Sequence, residues 1–452
     1  MTLLTLITIL VVVYGVFARG GYGRALALGG VTPAGAAIVV GDTAVPTFYA
    51  VALGTVVAIV VSLLGRGPSV SPPRRALPPG VPLLVMFFAW SAFVTLVAPV
   101  MFDGMAIVTP GTPFLVAGVI TSSNAAQLIY LFVGICVVVF LARSPAAGPE
   151  LIGLAAGLAT LLSFWRYLSQ AMGLPFPEGL FDNSPSFAYI ETAPNDVQRF
   201  RGIMSEPAAL AGCSLITISY MLSRATQLEG WRRGGALVIA GVAVYLGVIS
   251  TSASFVVAGV TVAGIVGLTF LFGFLIRRTR FSALVSLIGC SIVIAALWLL
   301  PIVAHFVEST VNEKLSSSSY EVRSGADARS YEVFLDTFGM GVGLGSGRAS
   351  SFLPTLLSTT GLIGTLLLAA TIAMLIHRGA TVRAYRPVVW ALVTLLVTKV
   401  VAGPDLSDSG GILWMSLGLL SHAVLVQKGK ILQAEHRGSA PATPPFLPTA
   451  AR

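Results

Sequence analysis

Two short segments carry the residues best suited to chemistry, and both contain arginines. The first holds Arg199 and Arg201, followed by Ser205, Glu206 and Pro207. Guanidinium groups stay charged and bind phosphate oxygens through paired N–H donors, which is typical of sites for anionic groups. Ser205 is the predicted N-cap of an apolar helix, while Glu206 and Pro207 suit its first turn. A helix start explains these last three residues but not the two arginines.

A glycine-rich run forms the second segment. Arg329 and Tyr331 precede alternating glycines that include Gly343 and Gly345, and Arg348 follows them. The run is no dinucleotide fingerprint, because no strand or βαβ context precedes it, and no Walker A loop, because arginine replaces the lysine. Its backbone N–H groups, next to a helix start, can bind an anion. A tight turn with close helix packing explains the same glycines.

Two carboxylates in these segments are candidate bases for accepting a proton from a hydroxyl group. They are Glu206 and Asp327, and their spacing does not choose between them. Arg323 precedes Asp327 and adds another cation. The sequence contains no Asp-x-Asp, His-Glu-x-x-His or Cys-x-x-Cys motif, so we predict neither a metal ion nor a cofactor.

The elements that must position these residues are membrane helices. Hydrophobic residues make up 56% of the 452-residue chain and charged residues only 10%, whereas a soluble domain has about 25% charged residues. Apolar stretches of about 20 residues, the length that crosses a bilayer, recur from end to end. We predict an all-α, polytopic integral membrane protein with about 12–13 transmembrane helices. Residues 1–430 form its single domain, and 431–452 form a disordered cytoplasmic tail.

The net charge of +9 is explained by membrane topology rather than by nucleic-acid binding. Basic residues gather in every second loop, which assigns those loops and the C-terminus to the cytoplasm. The loops at about 170–204 and 304–351 are then outside, with both arginine segments. Arg166 and Lys399 lie near outer helix ends, where we expect them to snorkel to the surface. The stretch 25–41 gives about 13 helices and an outer N-terminus if it spans, or about 12 and an inner one if it is re-entrant.

In these segments the sequence resembles the O-antigen polymerase/O-antigen ligase superfamily of bacterial envelope glycosyltransferases. The similar motifs are Arg201-Gly202, Ser205-Glu206-Pro207 at a helix start, Ser250-Thr251-Ser252 between two spans, Arg329 with Tyr331, and Gly361-Leu362-Ile363-Gly364. Their order, together with the helix pattern and a large outer loop in the second half, covers most of the chain. The resemblance implies a GT-C-like fold in the bacterial cytoplasmic membrane.

Members of this superfamily use a polyprenyl-pyrophosphate-linked glycan as donor outside the cytoplasmic membrane. Polymerases pass it to a lipid-linked repeat, and ligases pass it to lipid A core. Ligases carry a histidine after the glycine-rich segment, and residues 348–357 contain none. This departure favours an envelope polysaccharide polymerase that works without a metal. A ligase and a lipid-linked glycan flippase or transporter are the alternatives, and a transporter would place polar groups at mid-membrane.

The resemblance also implies partners and site residues. The partners are the lipid-linked donor and acceptor, membrane lipids, and flippase and chain-length regulator proteins, with no nucleic acid. The superfamily's important arginines lie in outer loops, which implies catalytic roles for Arg201 and Arg329, with Glu206 as the third catalytic candidate. The substrate-binding candidates are Arg199, Arg323, Arg348, Tyr331, Gly343 and Gly345.

Overall fold

The computed structural model describes residues 2–18, 20–41, 43–63, 77–108, 114–191, 199–277 and 318–438. Most of them are helical, and one antiparallel hairpin is formed by β1 (Ala36–Val40) and β2 (Thr43–Pro46). In chain order the helices are α1 (Leu3–Phe17), α2 (Tyr22–Gly29), α3 (Thr47–Leu63), α4 (Val81–Met101), α5 (Ser122–Arg143), α6 (Glu150–Met172), α7 (Glu178–Phe181), α8 (Pro207–Ala225), α9 (Gly230–Ile249), α10 (Ala253–Arg277), α11 (Ser318–Asp336), α12 (Phe352–Gly379), α13 (Arg386–Ala402) and α14 (Ile412–Gly438).

Among these described residues, eight helices are long and apolar enough to cross a membrane. They are α4, α5, α6, α8, α9, α10, α12 and α13, and α1, α3 and α14 contain shorter apolar helices. The prediction of a helical protein built from apolar, membrane-length helices is confirmed at this level. The span predicted near 281–303 lies outside the described residues. Helix α14 runs to Gly438, past position 431, where the predicted tail begins.

Small residues allow the central helices to pack closely. A Cβ on Gly134 of α5 would lie 2.6 Å from the ring of Trp414 on α14, and Trp414 is fully buried. Further along the same contact, a Cβ on Gly418 would lie 2.9 Å from Leu141. Glycine at such positions brings two backbones together, which is the usual way that membrane helices associate.

The N-terminal region combines features of the two predicted alternatives, a spanning 25–41 with an outer N-terminus and a re-entrant 25–41 with an inner one. Helix α1 begins where the Asn183 amide donates to the Thr2 hydroxyl at 3.4 Å, and the turn after it contacts Ala146. The chain then returns through the short helix α2 and the β1–β2 hairpin, where Asn183 exchanges hydrogen bonds with Ala36. The start of the chain therefore lies with the 170–204 loop, although residues 25–41 form no membrane-length helix.

Hydrogen bonds connect the loops at each end of the helices. At one end, Gln227 donates to the Arg383 carbonyl and Tyr385 donates to the Ala147 carbonyl. At the other end, the Arg348 N–H donates to the Val108 carbonyl at 2.8 Å. Loops that the charge pattern places on one side are therefore neighbours in space, and the arginine segments lie at the end opposite the basic turns.

Helix α12 is broken at Gly361, and the glycine-rich run packs into the break. Gly361 has φ 66° and ψ −170°, an extended conformation that residues with a side chain avoid. The carbonyls released by the break, those of Ser358 and Thr359, accept the N–H groups of Val342 and Gly343 at 2.8 and 2.9 Å. The run therefore satisfies backbone groups that lipid could not satisfy.

Candidate functional site

Arg201 is buried and fully engaged by other protein groups. It is 4% exposed, and its Nη1 donates to Asp182 Oδ1 at 3.0 Å and to the Met204 carbonyl at 2.8 Å. Its Nε donates to Glu191 Oε1 at 2.8 Å, and its guanidinium lies 5.0 Å from the centre of the Tyr189 ring. These contacts leave little of the guanidinium free for a ligand.

Arg166 shares the same two carboxylates. Its Nη1 lies 3.0 Å from Asp182 Oδ2, and its Nη2 lies 3.0 Å from the Glu191 oxygen that also accepts from Arg201. The expectation that Arg166 snorkels to the surface is wrong, because it is 3% exposed. The two buried arginines face these two carboxylates, and Glu178 lies 4.0 Å from Arg166 Nη2, so their positive charge is compensated, as buried charges require. We call Arg166, Arg201, Asp182 and Glu191 the paired cluster.

The paired cluster joins α6 to the described part of the loop between α6 and α8, residues 173–191 and 199–206. Asp182 follows the short helix α7, and Glu191 lies further along the same loop, so both carboxylates tie the loop to Arg166 on α6. Burial alone lowers the pKa of Arg201, but hydrogen bonds and charge from Asp182 and Glu191 outweigh it, so the pKa is raised. Arg201 therefore remains a cation at any physiological pH.

Arg199, Arg323 and Glu206 form a second, less compensated group, which we call the open cluster. Arg199 donates through Nη2 to the Thr251 carbonyl at 2.7 Å. Arg323 on α11 lies with its Nη2 3.8 Å from Glu206 Oε2, and both side chains are substantially exposed. Two predicted segments separated by more than a hundred residues therefore meet here, with two cations facing one carboxylate.

The two cations of the open cluster affect the ionisation of Arg199. The pKa of Arg199 is lowered, first by burial and then by the positive charge of Arg323, while Glu206 acts in the opposite direction. An anion bound between the two cations would offset their repulsion. The open cluster is therefore electrostatically prepared for a negatively charged ligand.

Glu206, rather than Ser205, is the N-cap of α8. Its side chain makes no capping hydrogen bond, so the prediction that Ser205 caps this helix is wrong. Its carboxylate lies 3.8 Å from Arg323 Nη2 instead. The other candidate base, Asp327, accepts from the Ser350 N–H at 2.7 Å and the Ser351 hydroxyl at 2.8 Å. Asp327 therefore holds the turn before α12.

A cavity of about 290 Å³ is lined by members of the paired cluster and by Arg199 of the open cluster. It opens where α6 and α9 end, rather than midway along the helices. Its aromatic and amide side chains can contact sugar rings and hydroxyls. Its lining residues are Arg166, Tyr167, Gln170, Ala171, Glu191, Arg199, Phe200, Arg201 and Ile249.

The remaining predicted residues lie apart from this cavity. Arg329 and Tyr331 are exposed on α11, and the Arg329 side chain has no hydrogen bond or ion pair with any described residue. Arg348 pairs with Asp405 at 3.0 Å.

Gly343 and Gly345 serve helix packing in the described structure. Their φ values are 92° and 83°. A Cβ on either residue would lie 2.6 Å from the backbone of Thr95 or Ser123. Neighbouring N–H groups in the run are donated within the protein, which favours the tight-turn explanation over an anion cradle. A role for these two glycines in substrate binding stays a prediction.

Sequence reasoning missed Asp182, Glu191 and Thr251 as partners of the arginines. The only signal was that acidic and basic residues share the 170–204 loop, and that pattern does not pair them. Among the described residues, no group of three His, Cys, Asp or Glu side chains is arranged to hold a metal ion. No protein-family model and no curated protein matches the chain. Function is therefore inferred from the side chains of the two clusters.

Proposed function

We propose that this protein is a polysaccharide polymerase of the bacterial envelope. It transfers a glycan from a polyprenyl-pyrophosphate donor to a lipid-linked repeat at the outer face of the cytoplasmic membrane. The observation that supports this most is the meeting of Arg199, Arg323 and Glu206 beside a cavity at the ends of apolar helices. A lipid pyrophosphate presents two negative phosphates at that depth while its isoprenoid chain stays in the bilayer.

The open cluster supplies positive charge where the pyrophosphate leaves. As the bond between the sugar C1 and the phosphate oxygen breaks, negative charge grows on that oxygen. Fixed arginines aimed at such a charge stabilise the transition state by several kcal/mol, on the order of the 2.7–4 kcal/mol given by one oxyanion-hole donor. In this proposal Arg199 and Arg323 carry the positive charge that a metal ion carries in other transferases.

Glu206 is the proposed general base. The acceptor hydroxyl oxygen forms a new bond to C1, its proton passes to Glu206, and the C1–oxygen bond to the pyrophosphate breaks with the electron pair leaving on that oxygen. The products are the extended lipid-linked glycan and polyprenyl pyrophosphate. Glu206 suits this role better than Asp327, because its side chain makes no capping hydrogen bond, whereas Asp327 accepts hydrogen bonds from Ser350 and Ser351.

Arg201 takes a different role from the one that the resemblance implies. Because Asp182 and Glu191 already occupy its donors, we assign it to positioning the loop that carries Arg199. The donor glycan then extends into the cavity past Tyr167 and Gln170. Both roles of the arginines depend on the same loop, so substitutions at either position abolish polymer for different reasons.

The test compares lipid-linked glycans in a strain whose own gene is deleted. The strain is complemented with the wild-type gene, with a gene carrying Arg199→Gln and Arg323→Gln, or with the control Arg232→Gln, which alters an arginine at the opposite end of the helices. We expect the double variant to accumulate single lipid-linked repeats, as seen by mass spectrometry, while the control makes polymer. Accumulated long polymer in the deletion strain would instead indicate a ligase, and normal polymer in the double variant would refute the proposal.

A further inference from the structure

Lys399 is a buried cation that the proposed reaction does not use. It lies near the end of α13, is 8% exposed, and is the second residue wrongly expected to snorkel to the surface. Its Nζ donates to the Asp405 carbonyl at 2.7 Å and lies 5.8 Å from the centre of the Phe352 ring. Among the described residues, no carboxylate lies within ion-pair distance of Nζ. The ammonium group therefore has one strong acceptor for its three N–H donors.

Arg348 is attached to the same residue, Asp405, from the other side. Its Nη2 lies 3.0 Å from Asp405 Oδ2, and its side chain is 56% exposed. One acidic residue thus holds two cations, through its carboxylate and through its carbonyl. The remaining positive charge is costly near a bilayer, and such charge in membrane helices usually has a functional reason.

A continuous series of contacts joins this pair to the open cluster. On α11, Asp327 follows Arg323 by one helical turn, about 5.4 Å along the axis. Asp327 accepts hydrogen bonds from Ser351, and the next residue, Phe352, lies against Lys399. The two cationic groups therefore flank the same turn between α11 and α12, with Glu206 on the side of Arg323.

We propose that Lys399 and Arg348 form a second pyrophosphate site, which holds the acceptor lipid. This inference rests on the proposed function in one respect, because a polymerase must hold two lipid-linked substrates at once. Arg348, the exposed member, offers its free N–H donors first, and Lys399 contributes its unused N–H donors beneath it. Asp405 keeps both cations in place and is therefore a positioning residue of this site.

The experiment counts bound pyrophosphate lipids by native mass spectrometry on the full-length protein. The probe is farnesyl pyrophosphate, added to protein in nanodiscs of neutral phosphatidylcholine. Wild-type protein is expected to bind two molecules, and Lys399→Met or Arg348→Gln to bind one, with affinity at the lost site reduced by at least about tenfold. Lys399→Arg should retain two. The control Arg232→Gln should also bind two.

The outcomes separate this inference from the proposed function. If Arg199→Gln with Arg323→Gln removes one lipid but Lys399→Met and Arg348→Gln remove none, the second site is refuted while the proposed function stands. If wild-type protein binds none, both fail. If Lys399→Met lowers the melting temperature without reducing binding, the role of Lys399 is to hold the 403–405 turn. That result refutes the second site. Arg348 is exposed, so Arg348→Gln remains informative even if Lys399→Met does not fold.

Discussion

The paired cluster lines the cavity with Arg166, Glu191 and Arg201, and the open cluster reaches it through Arg199, yet the charges of the two clusters are arranged in opposite ways. In the paired cluster, Arg166 and Arg201 are buried and face two carboxylates. In the open cluster, Arg199 and Arg323 are more exposed and share only Glu206. Arg199 and Arg201 are two residues apart in sequence, so proximity in the chain does not decide which arginine meets a ligand. In the proposed function, the arginines with fewer carboxylates nearby are the ones that bind the ligand.

The largest contrast is expected between the two candidate bases. Glu206→Gln should lower the rate of polymerisation by about 100-fold or more, the range for loss of a general base, because glutamine cannot accept the hydroxyl proton. Pyrophosphate binding should persist, since no cation is removed. Asp327→Asn keeps a hydrogen-bond acceptor for Ser350 and should retain most activity. Initial rates of chain growth on purified lipid-linked repeats measure both. Equal losses in the two variants would contradict the assignment of Glu206.

Removing one arginine from the paired cluster should cost stability. Arg201→Met leaves Arg166 as the close partner of Asp182 and Glu191, and losing the hydrogen bonds from Arg201 to the largely buried Asp182 costs about 1.5–3 kcal/mol. The melting temperature in detergent should therefore fall sharply. Adding Glu191→Gln alone to the same variant should recover part of the loss, because Arg166 and Asp182 then remain as one ion pair at 3.0 Å. If the Arg201→Met protein is stable but no longer binds pyrophosphate, Arg201 binds the ligand directly and its assigned positioning role is wrong.

The break in α12 gives a smaller expected effect on stability. Gly361→Ala forces a Cβ against the carbonyls of Gly339 and Met340 at positive φ, which should cost about 1–3 kcal/mol. Gly241→Ala on α9 is the matched control, because a Cβ there meets no atom within 4 Å. That change should be neutral or stabilise the helix by up to about 1 kcal/mol. Thermal melts of both variants test whether packing of the glycine-rich run against the break contributes to stability. Equal melting temperatures in the two variants would contradict it.

The smallest expected effect concerns the attachment of Arg199 to Thr251. The Thr251 hydroxyl accepts a weak hydrogen bond from Arg199 Nε at 3.3 Å, whereas the carbonyl accepts a stronger one at 2.7 Å. Thr251→Ala keeps the carbonyl, so pyrophosphate affinity should fall by no more than about threefold, or less than 1 kcal/mol. A titration with inorganic pyrophosphate checks this, and a loss of tenfold or more would show that the hydroxyl, rather than the carbonyl, orients Arg199.

Apolar patterning predicted the membrane-length helices well, because burial in lipid needs little more than length and composition. It did not predict α11, which lies inside the loop expected at 304–351. Helix α11 is polar overall, and its buried side chains among the described ones include Ser330 and Val333, so it has no apolar stretch to recognise. The β1–β2 hairpin was also missed. Its hydrogen bonds to Asn183 join distant parts of the chain, and local sequence patterns do not show such contacts.

The site was predictable in its residue types but not in its pairings. Arg199, Arg323 and Glu206 were all candidates from sequence. Nothing in the sequence distinguished them from Arg201, whose carboxylate partners come from elsewhere in its loop. Arg166 and Lys399 were wrongly expected at the surface. Long cationic side chains near helix ends usually extend to the surface, but the sequence does not show which groups cover these two. Ion pairing depends on tertiary contacts, which one-dimensional patterns do not contain.

The affinity of inorganic pyrophosphate for purified protein tests the central contrast most directly. We predict that Arg199→Gln with Arg323→Gln weakens binding at the open cluster by about 100-fold, equivalent to about 2.7 kcal/mol, with an unchanged melting temperature. Arg201→Met with Glu191→Gln, which leaves Arg166 paired with Asp182, should in contrast keep affinity within about threefold in the fraction that remains folded. Unchanged affinity in the Arg199 and Arg323 variant, with loss in the Arg201 variant, would contradict the account.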